Sequence, residues 1–439
     1  MSSDQLPDPV PSVVAEAAER QALPQDSSST PQRIRRSFSL TFISLRHPNY
    51  RLWFGGQLVS LFGTWMQTTA QGFLVYELTR SPAYLGYVGF AAGVPVWLFT
   101  LYAGVIADRV SRRNLMILTQ TAMMVLAFTL GALTFSGAVQ PWHIIVMAFL
   151  LGTANAFDAP ARQSFTIEMV GREDLTNAIA LNATMFNAAT VVGPAVSGIV
   201  YALAGAAWCF MINGATFLAV IAALLLMKLP RKPPSPNQES AMSGMRQGLG
   251  YVARTVSVRR LIAIVGGFSL IGIGTVTLMP AWSVEVLGGT AATNGLLLSA
   301  RGVGAVVAGL MIASLGRYRL KGKLLTIGGF AMGALLLAFS AARSLPISLV
   351  TLAGVGWGFM MIVNTVNALV QAEVPDALRG RVMGVYTLVF FGVIPVGSLL
   401  IGIAATYLGE PIAVALSAAL VLVFAAFLWL RWPALRRMP

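Results

Sequence analysis

Twelve long apolar runs dominate the sequence, and each is long enough to cross a lipid bilayer. A membrane-spanning helix needs about 20 mainly apolar residues, and its backbone polar groups are all satisfied within the helix. Charged residues make up 10% of the chain, against roughly 25% in soluble domains. We therefore predict an all-α polytopic membrane protein with twelve transmembrane helices. The runs lie near 52–78, 84–107, 114–135, 142–163, 177–203, 206–227, 261–286, 292–315, 324–342, 346–371, 382–408 and 411–430.

Lysine and arginine are concentrated at the ends of alternate apolar runs, and only Arg80 and Arg343 fall in the loops on the other side. Cytoplasmic loops carry an excess of these residues, so we expect both termini on the cytoplasmic side of the cell inner membrane. The same placement accounts for the net charge of +14. It predicts no nucleic-acid partner, because the basic residues do not line one face of a soluble domain.

A polar stretch that begins at Lys228 separates six runs from six. Its first part is rich in proline, and its second part predicts a surface helix with Leu249, Val252 and Val256 on one side. We expect this helix to pack on the membrane surface, with a fully solvated helix as the alternative. The predicted parts are a disordered cytoplasmic tail, an N-terminal six-helix bundle, a cytoplasmic linker, a C-terminal six-helix bundle and a short cytoplasmic tail, at 1–46, 47–227, 228–260, 261–431 and 432–439.

Polar side chains recur on three of the predicted spans at spacings of three and four, which places each set on one helical face. Because polar groups inside hydrocarbon are costly, the stripes predict a hydrated central pathway lined by spans 1, 5 and 10. Hydrogen bonding between helices is the alternative. The sets are Gln57, Ser60, Thr64, Gln67 and Gln71 on span 1, Asn187, Thr190, Pro194, Ser197 and Tyr201 on span 5, and Trp357, Met360, Asn364, Asn367 and Gln371 on span 10.

Four of the ionisable residues within the predicted spans are candidates for a functional role. Arg301 lies near the middle of span 8, where an arginine must face water, a carboxylate or an anionic substrate, or else form a fixed ion pair. Asp158 and Arg162 are four residues apart on span 4, so we expect them to pair on one helix face. That pair has either a structural or a coupling role. Glu77, near the outer end of span 1, is a third coupling candidate, with solvation at the rim as the alternative.

The turn between spans 2 and 3 places a carboxylate beside a group of cations. It contains Gly104, Asp108, Arg109, Arg112 and Arg113 in the order GVIADRVSRRNLM. This turn resembles motif A of the major facilitator superfamily, G-x-L-A-D-R-x-G-R-[KR]-x-x-L, with serine in place of the second glycine and isoleucine in place of the first leucine. Two further stretches, VVGPAVSG and EVPDALRGRVMG, resemble a Gly-Pro motif of span 5 and the branch that includes bacterial enterobactin exporters and macrolide-efflux proteins.

The resemblance implies the major facilitator fold, in which two six-helix bundles rock about a central site and expose it to each side of the membrane in turn. It also implies that Asp108 and Arg112 brace the cytoplasmic contact with the start of span 11, near 381–384, when the carrier opens outward. Gly193, Pro194 and Pro395 are expected to supply helix bends, since freed backbone groups can be satisfied inside a bundle.

The predicted function is secondary active export of an amphipathic small molecule, such as a drug, a siderophore or another secondary metabolite. The sequence has no P-loop for ATP, so we expect coupling to a proton gradient by antiport. We expect no catalytic residue, metal site or cofactor, and we expect a monomer in the lipid bilayer. An uptake carrier or uniporter for a defined solute, a membrane-embedded enzyme and a non-transporting sensor are the alternatives.

Overall fold

The structure is a computed structural model that describes residues 42–228, 241–315 and 321–433. Inside the helices, the side chains of Leu101, Val105, Asp108, Ala241 and Leu315 also lie outside the described part. Most of the predicted N-terminal tail, the proline-rich start of the linker and the end of the C-terminal tail therefore fall outside the described residues. Within them, every regular element is a helix, which confirms the all-α prediction.

Six long helices form the first half of the described chain. They follow a short 3₁₀ turn, Ile43–Arg46, and correspond to spans 1 to 6. They are α1 (Pro48–Thr79), α2 (Pro82–Arg109), α3 (Arg112–Phe135), α4 (Pro141–Val170), α5 (Leu175–Ala204) and α6 (Ala206–Leu226). Proline begins α1, α2 and α4, where its missing N–H costs no helical hydrogen bond. Gly205, with φ of 89°, joins α5 to α6 through a backbone conformation that favours glycine.

The second half begins with a short helix and continues with six membrane segments. Span 7 is interrupted: its first helix, Val256–Ile271, is followed by a 3₁₀ stretch (Ile273–Leu278), one α-turn (Met279–Ala281) and a π-helical turn (Trp282–Val286). Pro280 explains part of this break, because proline cannot donate a helical hydrogen bond. The helices are α7 (Ala241–Arg254), α8 (Val256–Ile271), α9 (Ala291–Leu315), α10 (Lys321–Ala341), α11 (Leu345–Glu373), α12 (Asp376–Leu408) and α13 (Glu410–Arg431).

Eleven segments of the described chain are long and apolar enough to cross a membrane. Helix α1 is not among them, although it has 32 residues. The reason is its polar stripe, which lowers its hydropathy while its length still allows it to span a bilayer. The twelve predicted spans thus correspond to these eleven segments and α1.

The long helices pack in two groups of six. In the first group, α1 packs against α5 and α6, α2 against α4, and α3 against α4 and α6. In the second group, α9 and α10 pack against α11, α10 against α13, and α8 against α12. The groups meet through α2 with α12 and through α5 with α9. Each of these pairs joins the second helix of one group to the fifth helix of the other, as expected for repeated halves.

Side-chain contacts identify the two ends of the helix groups. We call the end that holds the start of α1 and the end of α6 the linker end. There, the Asn49 amide nitrogen donates to the Lys228 carbonyl at 3.0 Å. At the opposite end, which we call the far end, the Tyr76 hydroxyl of α1 donates to Glu285 Oε1 at 2.9 Å. Arg80 Nη1 lies 3.9 Å from the same oxygen.

The two groups approach closely in the half toward the far end. In the α2–α12 seam, the Ala83 amide donates to Thr406 Oγ1 at 3.0 Å. In the α5–α9 seam, Ser299 Oγ donates to the Val191 carbonyl at 2.6 Å. A Cβ added at Gly302 would lie 2.8 Å from the Thr190 carbonyl oxygen. The seams therefore depend on small residues that let backbones touch.

The same four helices have open space nearer the linker end. A Cβ added at Gly104 of α2 would meet nothing within 4 Å, and the same holds at Gly309 of α9. Tyr102, on α2, is 63% exposed. The two groups are thus held together toward the far end, and space lies beside α2 and α9 toward the linker end.

A polar clamp at the linker end joins the segment before α1 to the turn between α4 and α5. Asp174 Oδ2 lies 2.7 Å from His47 Nε2 and 3.0 Å from Arg46 Nε. Ser44 Oγ donates to the Asp174 carbonyl at 3.1 Å. The hydrogen bond from His47, assisted by the charge of Arg46, holds the pKa of the Asp174 carboxyl below its usual value although burial acts in the opposite direction.

We expect this clamp to weaken in acid. Because the pKa of Asp174 is lower in the folded state, the ionised carboxyl stabilises the fold above pH about 4, and this contribution disappears as the pH falls through the folded-state pKa. Thermal unfolding in detergent should therefore show a Tm advantage of the wild type over Asp174→Asn near pH 7 that decreases as the pH falls below about 4. Asp376→Asn, at an exposed site, is the control. An advantage of the wild type that grows in acid would contradict the assignment.

Candidate functional site

A cavity of about 210 Å³ lies inside the first helix group, nearer the linker end. Its walls come from α1, α3, α4, α5 and α6. Polar groups at this depth are costly unless they meet water, a ligand or one another, so the cavity is a place where a polar solute can bind. The lining residues are Gln57, Ser60, Leu61, Thr64, Trp65, Thr68, Gln120, Met123, Asn155, Asp158, Arg162, Phe186 and Phe217.

Asp158, on α4, supplies the negative charge of this cavity and is 1% exposed. Its Oδ1 accepts hydrogen bonds from the Thr119 hydroxyl at 2.9 Å and from the Gln120 amide nitrogen at 3.1 Å. Its Oδ2 has no hydrogen-bond partner, and Arg162 Nε lies 3.7 Å away from it. The predicted Asp158–Arg162 pair is therefore present but long. Oδ1 is thus held by two hydrogen bonds, and Oδ2 is available to accept a proton or a further hydrogen bond.

The polar stripe of α1 divides between the cavity and the packing of helices. Gln57 and Thr64 line the cavity. Gln67 instead accepts a 2.6 Å hydrogen bond from Asn213 of α6, and Gln71 donates to a backbone carbonyl of α4 at 3.2 Å. One part of the α1 stripe thus lines the cavity, and another part forms hydrogen bonds with neighbouring helices.

The predicted residues of the second group lie apart from this cavity. Trp357 packs against a small apolar cluster. Asn364 is half-buried, and Asn367 accepts a hydrogen bond of 2.6 Å from Gln371. Arg301 is half-buried on α9, and its Nε has no hydrogen-bond partner. The cavity that holds Gln57 and Asp158 is therefore not lined by these residues. The sequence prediction had placed residues of spans 1 and 10 around one pathway.

The remaining predicted residues lie along α5, α12 and the far end. Asn187 is half-buried on α5, and a Cβ added at Gly193 would lie 2.5 Å from the Cβ of Trp65. Pro194 and Pro395 lie inside uninterrupted helices and at the contacts between the two groups. The carboxylate of Glu77 accepts a 2.5 Å hydrogen bond from the Tyr201 hydroxyl, at the other end of α1 from the cavity.

The motif A turn connects α2 to α3 at the linker end. Arg112 Nη1 lies 2.5 Å from Glu168 Oε1 of α4, and Arg113 donates to a backbone carbonyl at the end of α6 at 2.9 Å. Arg109 is exposed at the end of α2, and the side chain of Asp108 lies outside the described part. These two contacts, from Arg112 to Glu168 and from Arg113 to the end of α6, both lie within the first helix group.

The linker helix α7 packs on the start of α12, which is the surface that the resemblance assigns to the motif A turn. A Cβ added at Gly248 would lie 2.6 Å from the Arg381 carbonyl oxygen and 3.2 Å from Val385. Arg381 donates to Gln247, and α7 also contacts α2. Val252 is buried, whereas Leu249 is 49% exposed. The α7 helix therefore packs on protein through Val252 rather than through the whole predicted apolar side.

Replacing Gly248 with leucine should separate α7 from α12, because the new side chain would overlap the Arg381 carbonyl. Overpacking of this kind costs about 1–3 kcal/mol. A Cβ added at Gly384 lies 3.9 Å from Met245 Cε, so a short thiol cross-linker can join Met245→Cys to Gly384→Cys. The cross-linking yield should be at least about threefold lower in the Gly248→Leu background than in the wild-type background. Gly250→Leu is the matched control, since nothing lies within 4 Å of that position. Equal yields in the two variants would disprove the contact.

Sequence reasoning missed the partners of Asp158 and part of the cavity wall. Thr119 and Gln120 hold the carboxylate from α3, and Phe217 closes the cavity from α6. One signal was available: Asn155, three residues before Asp158, completes with Arg162 a stripe at spacings of three and four on α4. The contribution of α3 had no such periodic signal.

Two groups of six membrane helices, seams between the second helix of one and the fifth of the other, and a polar cavity within the bundle define a membrane carrier of the major facilitator fold. The chain belongs to the transmembrane secretion effector family of that superfamily, whose family model matches residues 39–438. This membership confirms the resemblance drawn from the motif A turn and from EVPDALRGRVMG.

Curated relatives agree with this assignment. The chain is 24% identical to the staphyloferrin A transporter of Staphylococcus aureus over 366 residues, covering 82% of this chain and 90% of the relative. It is 27% identical to the multidrug efflux pump Tap of Mycolicibacterium fortuitum, over 77% of this chain and 85% of the pump. It is 26% identical to the enterobactin exporter EntS of Salmonella typhi, over 80% and 85% of the two chains.

The fold also has a solved counterpart. A bacterial homolog of the human lysosomal transporter Spinster, solved in an inward-facing and unoccupied conformation, superposes with a TM-score of 0.69 at 13% identity. The match covers 94% of this chain and 98% of the other. At this identity the likeness supports the fold alone.

Proposed function

We propose that this protein is a secondary carrier that exports an amphipathic small molecule, such as a drug or a siderophore, across the bacterial inner membrane by alternating access. The printed functions of the relatives, staphyloferrin A transport, multidrug efflux and enterobactin export, support this substrate class. The observation that carries the proposal is a polar cavity inside a helix bundle whose two groups contact each other closely toward one end. The protein works as a monomer and not as an enzyme.

The orientation of this carrier follows from charge. Basic side chains cluster at the linker end, whereas Arg80 and Arg343 lie at the far end. Since cytoplasmic segments are enriched in lysine and arginine, the linker end faces the cytoplasm and both termini are cytoplasmic. The described conformation is then closed toward the outside, and its cavity lies in the cytoplasmic half.

Proton antiport is the proposed source of energy, and Asp158 is the proposed carrier of the proton. Intramembrane carboxylates commonly serve as proton relays. The free Oδ2 binds a proton when the cavity faces outward and releases it when the cavity faces the cytoplasm. Thr119 and Gln120 keep the carboxylate in position through both steps, because they donate to the other oxygen.

The motif A turn is the proposed cytoplasmic latch. Closing the linker end would bring Asp108 and Arg112 toward the start of α12, as the family resemblance implies. In the described conformation that surface carries α7, and Arg112 lies against Glu168 of the first group.

A flux assay tests the proposal. Purified protein in inside-out proteoliposomes with an acidic lumen should accumulate members of a panel of dyes, antibiotics and siderophores, and protons should leave the lumen in exchange. Accumulation in the opposite direction would indicate an uptake carrier, and flux without proton exchange would indicate a uniporter. Absence of flux for the whole panel would contradict a transport function for these substrate classes.

A further inference from the structure

Three residues that line the cavity each have one buried side-chain oxygen without a hydrogen-bond partner. The oxygens are Gln57 Oε1, Gln120 Oε1 and Asp158 Oδ2. The three residues are 3%, 2% and 1% exposed, and they come from α1, α3 and α4. Most buried polar atoms in folded proteins are hydrogen-bonded. Three unpaired atoms around one cavity therefore indicate a ligand that supplies what they lack.

All three atoms are acceptors. The orientation of the Gln120 amide is fixed, because its nitrogen donates to Asp158 Oδ1 at 3.1 Å, which leaves its oxygen free. A carboxylate oxygen accepts hydrogen bonds and carries negative charge. The nearest cationic atom, Arg162 Nε, lies 3.7 Å from Asp158 Oδ2, which is beyond a direct hydrogen bond. The wall therefore favours a cation with several N–H donors.

Aromatic and apolar side chains complete the cavity. Trp65 and Phe186 meet edge to face with centroids 5.7 Å apart, and Phe217 and Met123 also line the wall. Aromatic faces attract ammonium groups, and their area accommodates an apolar body. A small cationic head with an attached apolar part fits both halves of this lining.

We propose that the cavity binds the protonated amine of an amphipathic substrate, with its N–H groups donating to Gln57, Gln120 and Asp158 and its apolar part against Trp65 and Phe186. This assignment rests on the proposed function, in which the cavity is the substrate site, and it adds the charge of the substrate class. An anionic head at Arg162, which is 30% exposed, is the competing outcome of the test.

Three fluorescent probes with one apolar body separate these outcomes: dansylcadaverine, its neutral N-acetyl derivative and the anionic dansyl-aminohexanoate. With purified protein in detergent, the amine should bind at least about tenfold tighter than the amide, as expected for charge-assisted hydrogen bonds. The carboxylate should bind weakest. Equal affinity for amine and amide, or preference for the carboxylate, would overturn the assignment.

Two variants test whether the preference for the amine over the amide arises in this cavity. Asp158→Asn should bring the affinities for amine and amide within about twofold of each other, while affinity for the amide stays near that of the wild type. Gln57→Met removes one acceptor without touching Asp158, and it should weaken amine binding alone. Asp376→Asn, at an exposed position, is the matched control and should keep the wild-type ratio. Selectivity that survives both cavity variants would disprove the site.

The outcomes of the binding test and of the flux test can be distinguished from each other. If proteoliposomes show no flux while the amine selectivity depends on Asp158, the proposed function is wrong and the site remains. If flux occurs while amine and amide bind equally, the carrier remains and the assignment of a cationic substrate is wrong. Size-exclusion profiles of the two cavity variants establish that each is folded before its ratio is interpreted.

Discussion

Asp158→Asn should abolish substrate accumulation driven by a pH gradient. A difference of one pH unit supplies about 1.4 kcal/mol per proton, enough for about tenfold accumulation at one-for-one exchange. Asparagine has the shape of aspartate and keeps an oxygen for Thr119 and Gln120, but it cannot carry a proton. In inside-out proteoliposomes with an acidic lumen, the wild type should approach that ratio, and the variant should show none.

Asp376→Asn is the control for this experiment, because it makes the same chemical change at an exposed position beside Arg379. It should accumulate substrate as the wild type does. Luminal pH, followed with an entrapped indicator, should rise during transport by the wild type and by this control. Full accumulation by Asp158→Asn would exclude Asp158 as the proton carrier and would direct attention to Glu77.

Gly302→Leu should stop the transport cycle by opening the far end. The added Cβ would lie 2.8 Å from the Thr190 carbonyl in the α5–α9 seam, and overpacking costs about 1–3 kcal/mol. A cost of that size shifts a two-state equilibrium by about fivefold to more than a hundredfold. Transport should fall accordingly. A cysteine introduced by Ala291→Cys, at a buried position of the same seam, should become reactive toward a polar thiol reagent.

Gly309→Leu is the matched control, since the same substitution on the same helix meets open space. It should keep both transport and the low reactivity of the thiol introduced at Ala291. Cys209, the single native cysteine, is buried, so the native thiol adds little background. Equal reactivity in the two leucine variants would show that the seam does not hold the far end closed.

Much of the fold could be predicted because hydrophobicity, charge and motif A each constrain it directly. The length of the apolar runs predicted the spans, and motif A predicted the turn between α2 and α3. The linker helix shows the limit of this reasoning. Periodicity placed Leu249, Val252 and Val256 on one side, but it could not tell a membrane surface from α12. The structure shows contact with α12 at Gly248, whose missing side chain allows approach to the Arg381 carbonyl, while Leu249 and Val256 stay exposed.

The site was less predictable, because its parts meet only in three dimensions. Spacing put Gln57 and Gln67 on one face of α1, yet α6 lies against one end of that face and donates to Gln67. The partners of Asp158 come from α3, 38 and 39 residues away in sequence. Helical periodicity describes one helix at a time, so it cannot assign residues of different helices to one wall.

The two seams toward the far end depend little on titratable side chains. Their close contacts are backbone to backbone at glycines such as Gly302, with neutral hydroxyl donors such as Ser299. The ion pair of Arg80 with Glu285 is long and solvent-exposed, and such pairs contribute at most about 1 kcal/mol. The α2–α12 and α5–α9 seams should therefore stay closed across wide changes in external salinity and acidity.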